Sequence, residues 1–346
     1  MKKILVFAFL VFAFSCKKNQ SPVSIETNLV CVAGYEKNGN TRIAKYWKNG
    51  QAVNLSNGIY DAEANGIAIS DTNVYVCGDS SDKVGNTQAV YWNNAKPMSL
   101  GSDGRSLSMA EKMLLVGNDI YVVGSELGTY SFWATFWKNG QIFHPADTIY
   151  SSMGRGLAYA NNQLYIVGYL SDSNPSTGVI WQNGQAYHLG DDNSVNTYSI
   201  ASAGNDIYVA GTSFYSVDVF TYWENGQPVN LGDLNLSVWS LEPCFIAVSG
   251  TDVYIAGMEY KIPPTINTPI VEIAMYWKNS QPYYLTDGKH DAHVTGIKVF
   301  GNDVYISGYE SNGTKYVAKY WKNGQAVNLS DGKNDAYAKD IAVIHK

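Results

Sequence analysis

Six side chains of this 346-residue chain bring acid, base and phenol chemistry together: Glu111, Lys112, Arg155, Tyr198, Lys339 and Asp340. Carboxylates beside ammonium and guanidinium groups orient polar ligands. A pair of carboxylates about 5–10 Å apart is what glycoside hydrolysis requires, and Glu111 with Asp340 is the pair the sequence offers. These residues lie far apart along the chain, so a fold must gather them.

Other constellations are weaker. His290 and His293 stand three apart beside Asp287 and Asp291, which are metal-ligand types, but the aligned positions of the next copy hold Asn334 and Tyr337. No metal site is expected there. Asp-Gly-x-x-Asp recurs in SDGKNDAYA after Leu329 and in TDGKHDAHV after Leu285, and SNGIYDAEA after Leu55 varies it. Calcium needs six to eight oxygens in a defined loop, whereas a turn with Gly at positive φ needs only this spacing. The turn is the reading adopted. No Gly-x-Ser-x-Gly elbow, His-Glu-x-x-His helix or phosphate loop occurs, so no catalytic residue and no cofactor are assigned.

The elements that position the six residues come from a repeat. An aromatic or apolar residue, Trp and a short polar turn recur at Trp47, Trp92, Trp137, Trp181, Trp223, Trp277 and Trp321, with spacings of 45, 45, 44, 42, 54 and 44 residues. Each unit divides into four short alternating segments, a to d, with Asn, Asp and Gly between a and b and Lys-Asn-Gly or a variant between c and d. Four strands per copy at this period define a β-propeller blade. The chain starts at a strand b, NLVCVAGY, and ends at a strand a, KDIAVIHK. Joined, the two ends complete a seventh blade, and the expected fold is an all-β, seven-bladed propeller closed by the C-terminal inner strand.

Within strand c, Tyr and Trp alternate, so they face opposite sides of a blade and belong to the core between blades. The a–b and c–d turns are short and constant, while the b–c and d–a connections vary, so variation is confined to one face. Aligning the inner strands places Asn65, Glu111, Arg155, Tyr198, Cys244, Thr295 and Lys339 at one rim position, with Lys112 and Asp340 next to it. Aromatics outside the repeat, Tyr130, Trp133, Tyr215, Trp239 and Tyr260, are expected on the variable face, where they offer rings to a glycan or a protein partner.

Residues 1–15, MKKILVFAFLVFAFS, read as a signal segment: two Lys, an apolar run too short to span a bilayer, then small residues. Cys16 sits where a lipidated cysteine would, ahead of a polar tether over 16–28, and the propeller occupies 29–346. An ordinary cleavage site before Cys16, giving a secreted protein, is the alternative. Cys31, Cys77 and Cys244 fall on predicted strands as small buried fillers, with no disulfide framework. A net charge of −6 and only three Arg, at 42, 105 and 155, exclude a basic stripe for nucleic acid.

The Ile-Tyr-Val-Ala-Gly segment at 207–211, the Ala-Lys-Tyr-Trp-Lys-Asn-Gly strand and the following Asn-Leu-Ser resemble bacterial lipoprotein β-propellers with HAF-like extracellular repeats. The resemblance spans residues 29–346. The His-Ala-Phe element before the Trp is replaced here by Ala-Lys-Tyr and similar. It implies propeller architecture and a place in the cell envelope, the outer membrane in particular, and carries no shared catalytic motif. The sequence thus leads to an exported, lipid-anchored module that binds glycan or protein through its variable face. The competing expectation is a polysaccharide hydrolase or lyase acting at the channel mouth.

Overall fold

A computed structural model describes residues 28–101, 104–145, 150–171, 177–190, 195–214, 218–230, 244–261 and 270–345. Their strands form seven four-stranded antiparallel sheets. Blades 1 to 6 occupy 62–99, 108–143, 152–188, 195–230, 245–284 and 292–328. Blade 7 joins Leu29–Asn38, Thr41–Lys48 and Gln51–Asn54 to the C-terminal strand Ala336–Ile344, which pairs with Leu29–Asn38 from Leu29↔Ile344 to Glu36↔Ala336. The expected closure is therefore the observed one, and it leaves no open edge between the first and last blades. Each inner strand contacts the next, Ala336–Ile344 against Ala62–Ser70 included, so the ring is continuous.

Turn chemistry explains the repeated Asn. At the c–d hairpin of blade 7, Asn49 and Gly50 both have positive φ (48° and 83°), as a two-residue turn matching strand twist demands. Asn49 Oδ1 then accepts the amide of Val30, 2.9 Å away on the neighbouring strand. Asn94, Asn139, Asn225, Asn279 and Asn323 do the same in five other blades. The turn residue thus satisfies a backbone donor at the start of strand b.

The core lies between blades. The seven repeated Trp are all 2% exposed or less. Their partners on the other face of strand c stack outward, as Phe136 does on Phe143 (5.0 Å) and Tyr276 on Tyr283 (4.9 Å). Burying indole rings in the wedges supplies a large apolar area per residue, so the propeller needs no other core. Cys31, Cys77 and Cys244 are buried free thiols.

The Asp-Gly-x-x-Asp segments are turns. Asp331 Oδ1 accepts the amide of Lys333 and Asp287 Oδ1 that of Lys289, both at 3.1 Å, and Gly332 and Gly288 have φ of 73° and 70°. The second Asp of each pins the neighbouring strand c: Asp335 Oδ1 accepts from Tyr316 N, Asp291 Oδ1 from Glu272 N and Asp61 Oδ1 from Arg42 N. That tether gives the spacing a structural reason.

Candidate functional site at the channel mouth

The inner strands carry a feature that alternation alone conceals. In blade 1, Ala64 pairs with Gly78 and Gly66 with Cys77, leaving Asn65 without a partner. The same β-bulge frees Glu111, Arg155, Tyr198, Thr295 and Lys339. A bulge breaks the two-residue alternation and re-aims one side chain, so six blades each present one residue outside the packing pattern. Opposite each bulge stands the Gly that ends the repeated strand-b motif. A Cβ on Gly124 would lie 1.9 Å from the Met109 carbonyl oxygen, and one on Gly78 2.0 Å from that of Glu63. The bulge therefore dictates the glycine. The seventh aligned residue, Cys244, departs from the set: it is fully buried with Ile246, Ile255 and Met275 and displays nothing.

The bulged residues face the channel near the variable face. A cavity of about 580 Å³ is lined by Asn65, Glu111, Arg155, Asn196, Tyr309 and Lys339, among others. A second, of about 590 Å³, continues down the channel along the apolar Ile67, Met113, Leu157, Ile200, Ile246, Ile297 and Ile341. Lys112, Arg155, Tyr198 and Phe245 line both.

Lys112 Nζ lies 3.1 Å from Asp340 Oδ1, donates to the Lys339 carbonyl at 3.2 Å, and sits 5.5 Å from the Phe245 ring centroid. Asp340 Oδ2 accepts from Ile67 N at 3.1 Å. The Arg155 guanidinium lies 4.8 Å from the Tyr198 ring and 5.5 Å from that of Tyr169. Lys339 lies over Tyr35 and 4.0 Å from Glu63. Glu63 is also paired with Arg42, which reaches Asp61 at 3.1 Å.

Burial pushes the Glu111 carboxyl up from its ordinary range, against the pull of Lys339, Lys112 and Arg155; Glu63 adds to the rise. The stronger effect falls on Asp79, raised to about 7 by burial and by the nearby charges of Glu63 and Glu111, although Asn65 donates to it at 3.0 Å. Burial likewise raises the Tyr198 phenol, with Arg155 opposing. The sequence pointed to Glu111 with Asp340 as the carboxylate pair. The structure ties Asp340 to Lys112 and Ile67, and places Glu63 and Asp79 within the electrostatic reach of Glu111.

The surface aromatics divide. Tyr130 is 97% exposed in its b–c loop. Trp133 is half-buried, with the Arg105 guanidinium 4.2 Å from its ring and His144 edge-on at 6.0 Å, so it packs its loop. Tyr260 is half-buried and hydrogen-bonds Glu272. Tyr215 and Trp239 lie outside the described residues. A different aromatic group, unforeseen from the sequence, borders the mouth. Tyr337 stacks on Tyr35 (4.9 Å), Tyr309 meets Tyr337 edge-on (4.8 Å) and His293 stacks on Tyr309 (4.7 Å). His293 Nε2 is 2.7 Å from Glu272 Oε2, which holds the Glu272 carboxyl below its usual range. Among the described residues no group of three or more His, Cys, Asp or Glu is arranged to hold a metal. The position after the strand-b Gly reads Tyr35, Asp79, Ser125, Tyr169, Thr212, Met258 and Tyr309, and this diversity was the available clue.

The architecture is that of a seven-bladed β-propeller with a polar, asymmetric mouth. No family model and no curated protein matches the sequence. Solved structures do match in shape. The β-propeller domain of the Trilobed protease from Pyrococcus furiosus superposes with a TM-score of 0.56 at 10% identity, covering 89% of this chain and 94% of that one. It is described as an open velcro topology, whereas blade 7 here is closed by strand pairing. A puromycin hydrolase gives a TM-score of 0.60 at 9% identity over 91% of this chain and 56% of that one. The acylaminoacyl peptidase of Pyrococcus horikoshii gives 0.53 at 13%, over 88% and 51%. The chain thus spans about half the length of these two enzymes, and at such identities the likeness is one of fold.

Proposed function

We propose that this propeller is a non-catalytic binding module that takes a glycan or a protein partner at the channel mouth, exported and held to a membrane by acylated Cys16. One observation carries the reading: six equivalent bulges display six different side chains, Asn65, Glu111, Arg155, Tyr198, Thr295 and Lys339, around a 580 Å³ cavity. Identical backbone with divergent side chains is how a repeat scaffold builds a specific site. The HAF-like strand motifs and the leader ending at Cys16 support the envelope location.

The test is to pass polysaccharides and envelope proteins over the immobilised chain, recording retention and the release of reducing sugar. Retention without release is expected. Release of sugar overturns the non-catalytic reading. For the anchor, Cys16→Ser is expected to shift the protein from the membrane to the soluble fraction, and unchanged membrane association removes the lipid.

A second reading, a polysaccharide hydrolase or lyase, is favoured by one observation: Glu111 and Asp79 both have raised carboxyl pKa values beside Glu63, the pattern that general acids share. Turnover that disappears in Glu111→Gln, with binding retained, is its signature.

A further inference from the structure

Among the described cations of the mouth, Arg155 is the one with no carboxylate in ion-pair contact, although the Glu111 carboxyl lies within its electrostatic reach. Lys112 has Asp340, and Lys339 has Glu63. Arg155 has no carboxylate ion pair among the described residues. It is half-buried between Tyr169 and Tyr198, its Nη1 reaches the Thr197 carbonyl at 3.4 Å, and its guanidinium also hydrogen-bonds the Tyr198 side chain. A guanidinium withdrawn from water favours an anion that pairs with it through two parallel hydrogen bonds, and no described carboxylate does so here. The cavity it enters also carries an acceptor, Glu111, and the rings of Tyr198 and Phe245.

Resting on the glycan-binding reading, we infer that the mouth takes a hexuronate unit of an acidic polysaccharide, its carboxylate on the Arg155 guanidinium. Each part of the unit then meets its chemical complement. The sugar carboxylate supplies the missing charge in fork geometry, a ring hydroxyl meets Glu111, and the C–H face of the pyranose lies on Tyr198 or Phe245. The volume suits it, since about 300–1,000 Å³ holds a ligand of one or a few rings. A neutral hexose leaves Arg155 unanswered, so the site discriminates by charge.

The experiment is calorimetric titration of the full chain with glucuronate, galacturonate and mannuronate, each beside its neutral parent hexose, with sodium sulfate as competitor. At least one uronate is expected to bind about tenfold or more tightly than its parent, the loss a charged hydrogen bond brings. Arg155→Gln is expected to abolish that difference and Arg155→Lys to keep a fraction of it, because a point charge lacks the fork.

Equal affinity for acid and neutral sugars overturns the inference while leaving the glycan-binding reading intact. Displacement by sulfate as effective as by uronate reduces the site to a bare anion site and also overturns it. No binding of any uronate does the same. If the array retains a protein and no sugar, the glycan reading fails first, and the two failures stay distinguishable. The sulfate competition needs no variant, so a misfolded Arg155→Gln does not remove the test.

Discussion

Lys112 Nζ and Asp340 Oδ1 stand 3.1 Å apart, joining blade 2 to the C-terminal strand across blade 1, whose Ile67 amide is held by the other Asp340 oxygen. Three blades thus meet at one carboxylate. The side chains are only 23% and 17% exposed, so the pair is shielded more than a surface bridge.

Asp340→Ala is therefore expected to destabilise the ring by about 2 kcal/mol, since it strands a buried amide and an ammonium. Asp340→Asn retains an acceptor for Ile67 and is expected to lose less. Urea unfolding of both, with Lys112→Ala in a double-mutant cycle, should give a coupling of about 1 kcal/mol. Zero coupling would show that the bridge is not part of closure.

Gly124→Ala tests whether bulge and glycine are one device. The new Cβ would sit 1.9 Å from the Met109 carbonyl oxygen, a backbone atom that cannot move without shifting the bulge that carries Glu111. A loss of about 3 kcal/mol or more is expected. Gly140→Ala is the comparison, since only the Ser99 carbonyl, at 3.7 Å, approaches its Cβ and its cost comes from a φ of 83°. Equal costs at the two sites would mean that the bulge tolerates the methyl group.

Blade number and closure were legible because an indole that must be buried marks every strand c, and Trp47 to Trp321 count the blades directly. The rim position was legible too, by aligning residues such as Glu111 and Arg155 on the apolar residues two places further on. The bulge was not, because one unpaired residue looks like ordinary alternation until the register is known. Cys244 was misplaced for that reason: alignment gave it a rim address, and burial put it in the core. The Tyr35, Tyr309 and Tyr337 group escaped notice because its members come from both ends of the chain. Nor could composition show that Asp79, unremarkable in its strand, shares a field with Glu63 and Glu111.

Two hairpins lack the Gly that the others use. Ala95 and Ser280 hold φ of 65° and 68°, where Gly50, Gly140, Gly184, Gly226 and Gly324 stand in the remaining blades. An L side chain in this region is strained, so Ala95→Gly and Ser280→Gly are each expected to stabilise by about 0.5–1 kcal/mol. Melting of the single and double variants checks both the size and the additivity. A loss of stability would mean that the side chains make contacts worth more than the strain.

The pH dependence of stability has a sign set by Asp79. Its folded pKa is about 7 against an ordinary 3.8, so between these values the folded state holds a proton that the unfolded state has released. Stability from this group is complete below about pH 4, falls as pH rises toward 7 and is level above. Asp61 works in the opposite sense: Arg42 lowers its pKa, so its contribution is lost as pH falls. The difference between the wild type and Asp79→Asn isolates the Asp79 component. Asp79→Asn is expected to gain relative to the wild type between pH 4 and 7, by at most about 4 kcal/mol for a three-unit shift, and to run parallel above pH 7. Because Glu63 and Glu111 set part of the rise, Glu111→Gln is expected to move the midpoint of the difference curve to lower pH. Urea unfolding at half-unit steps from pH 4 to 8 gives both curves, and a flat difference would show that Asp79 is charged throughout.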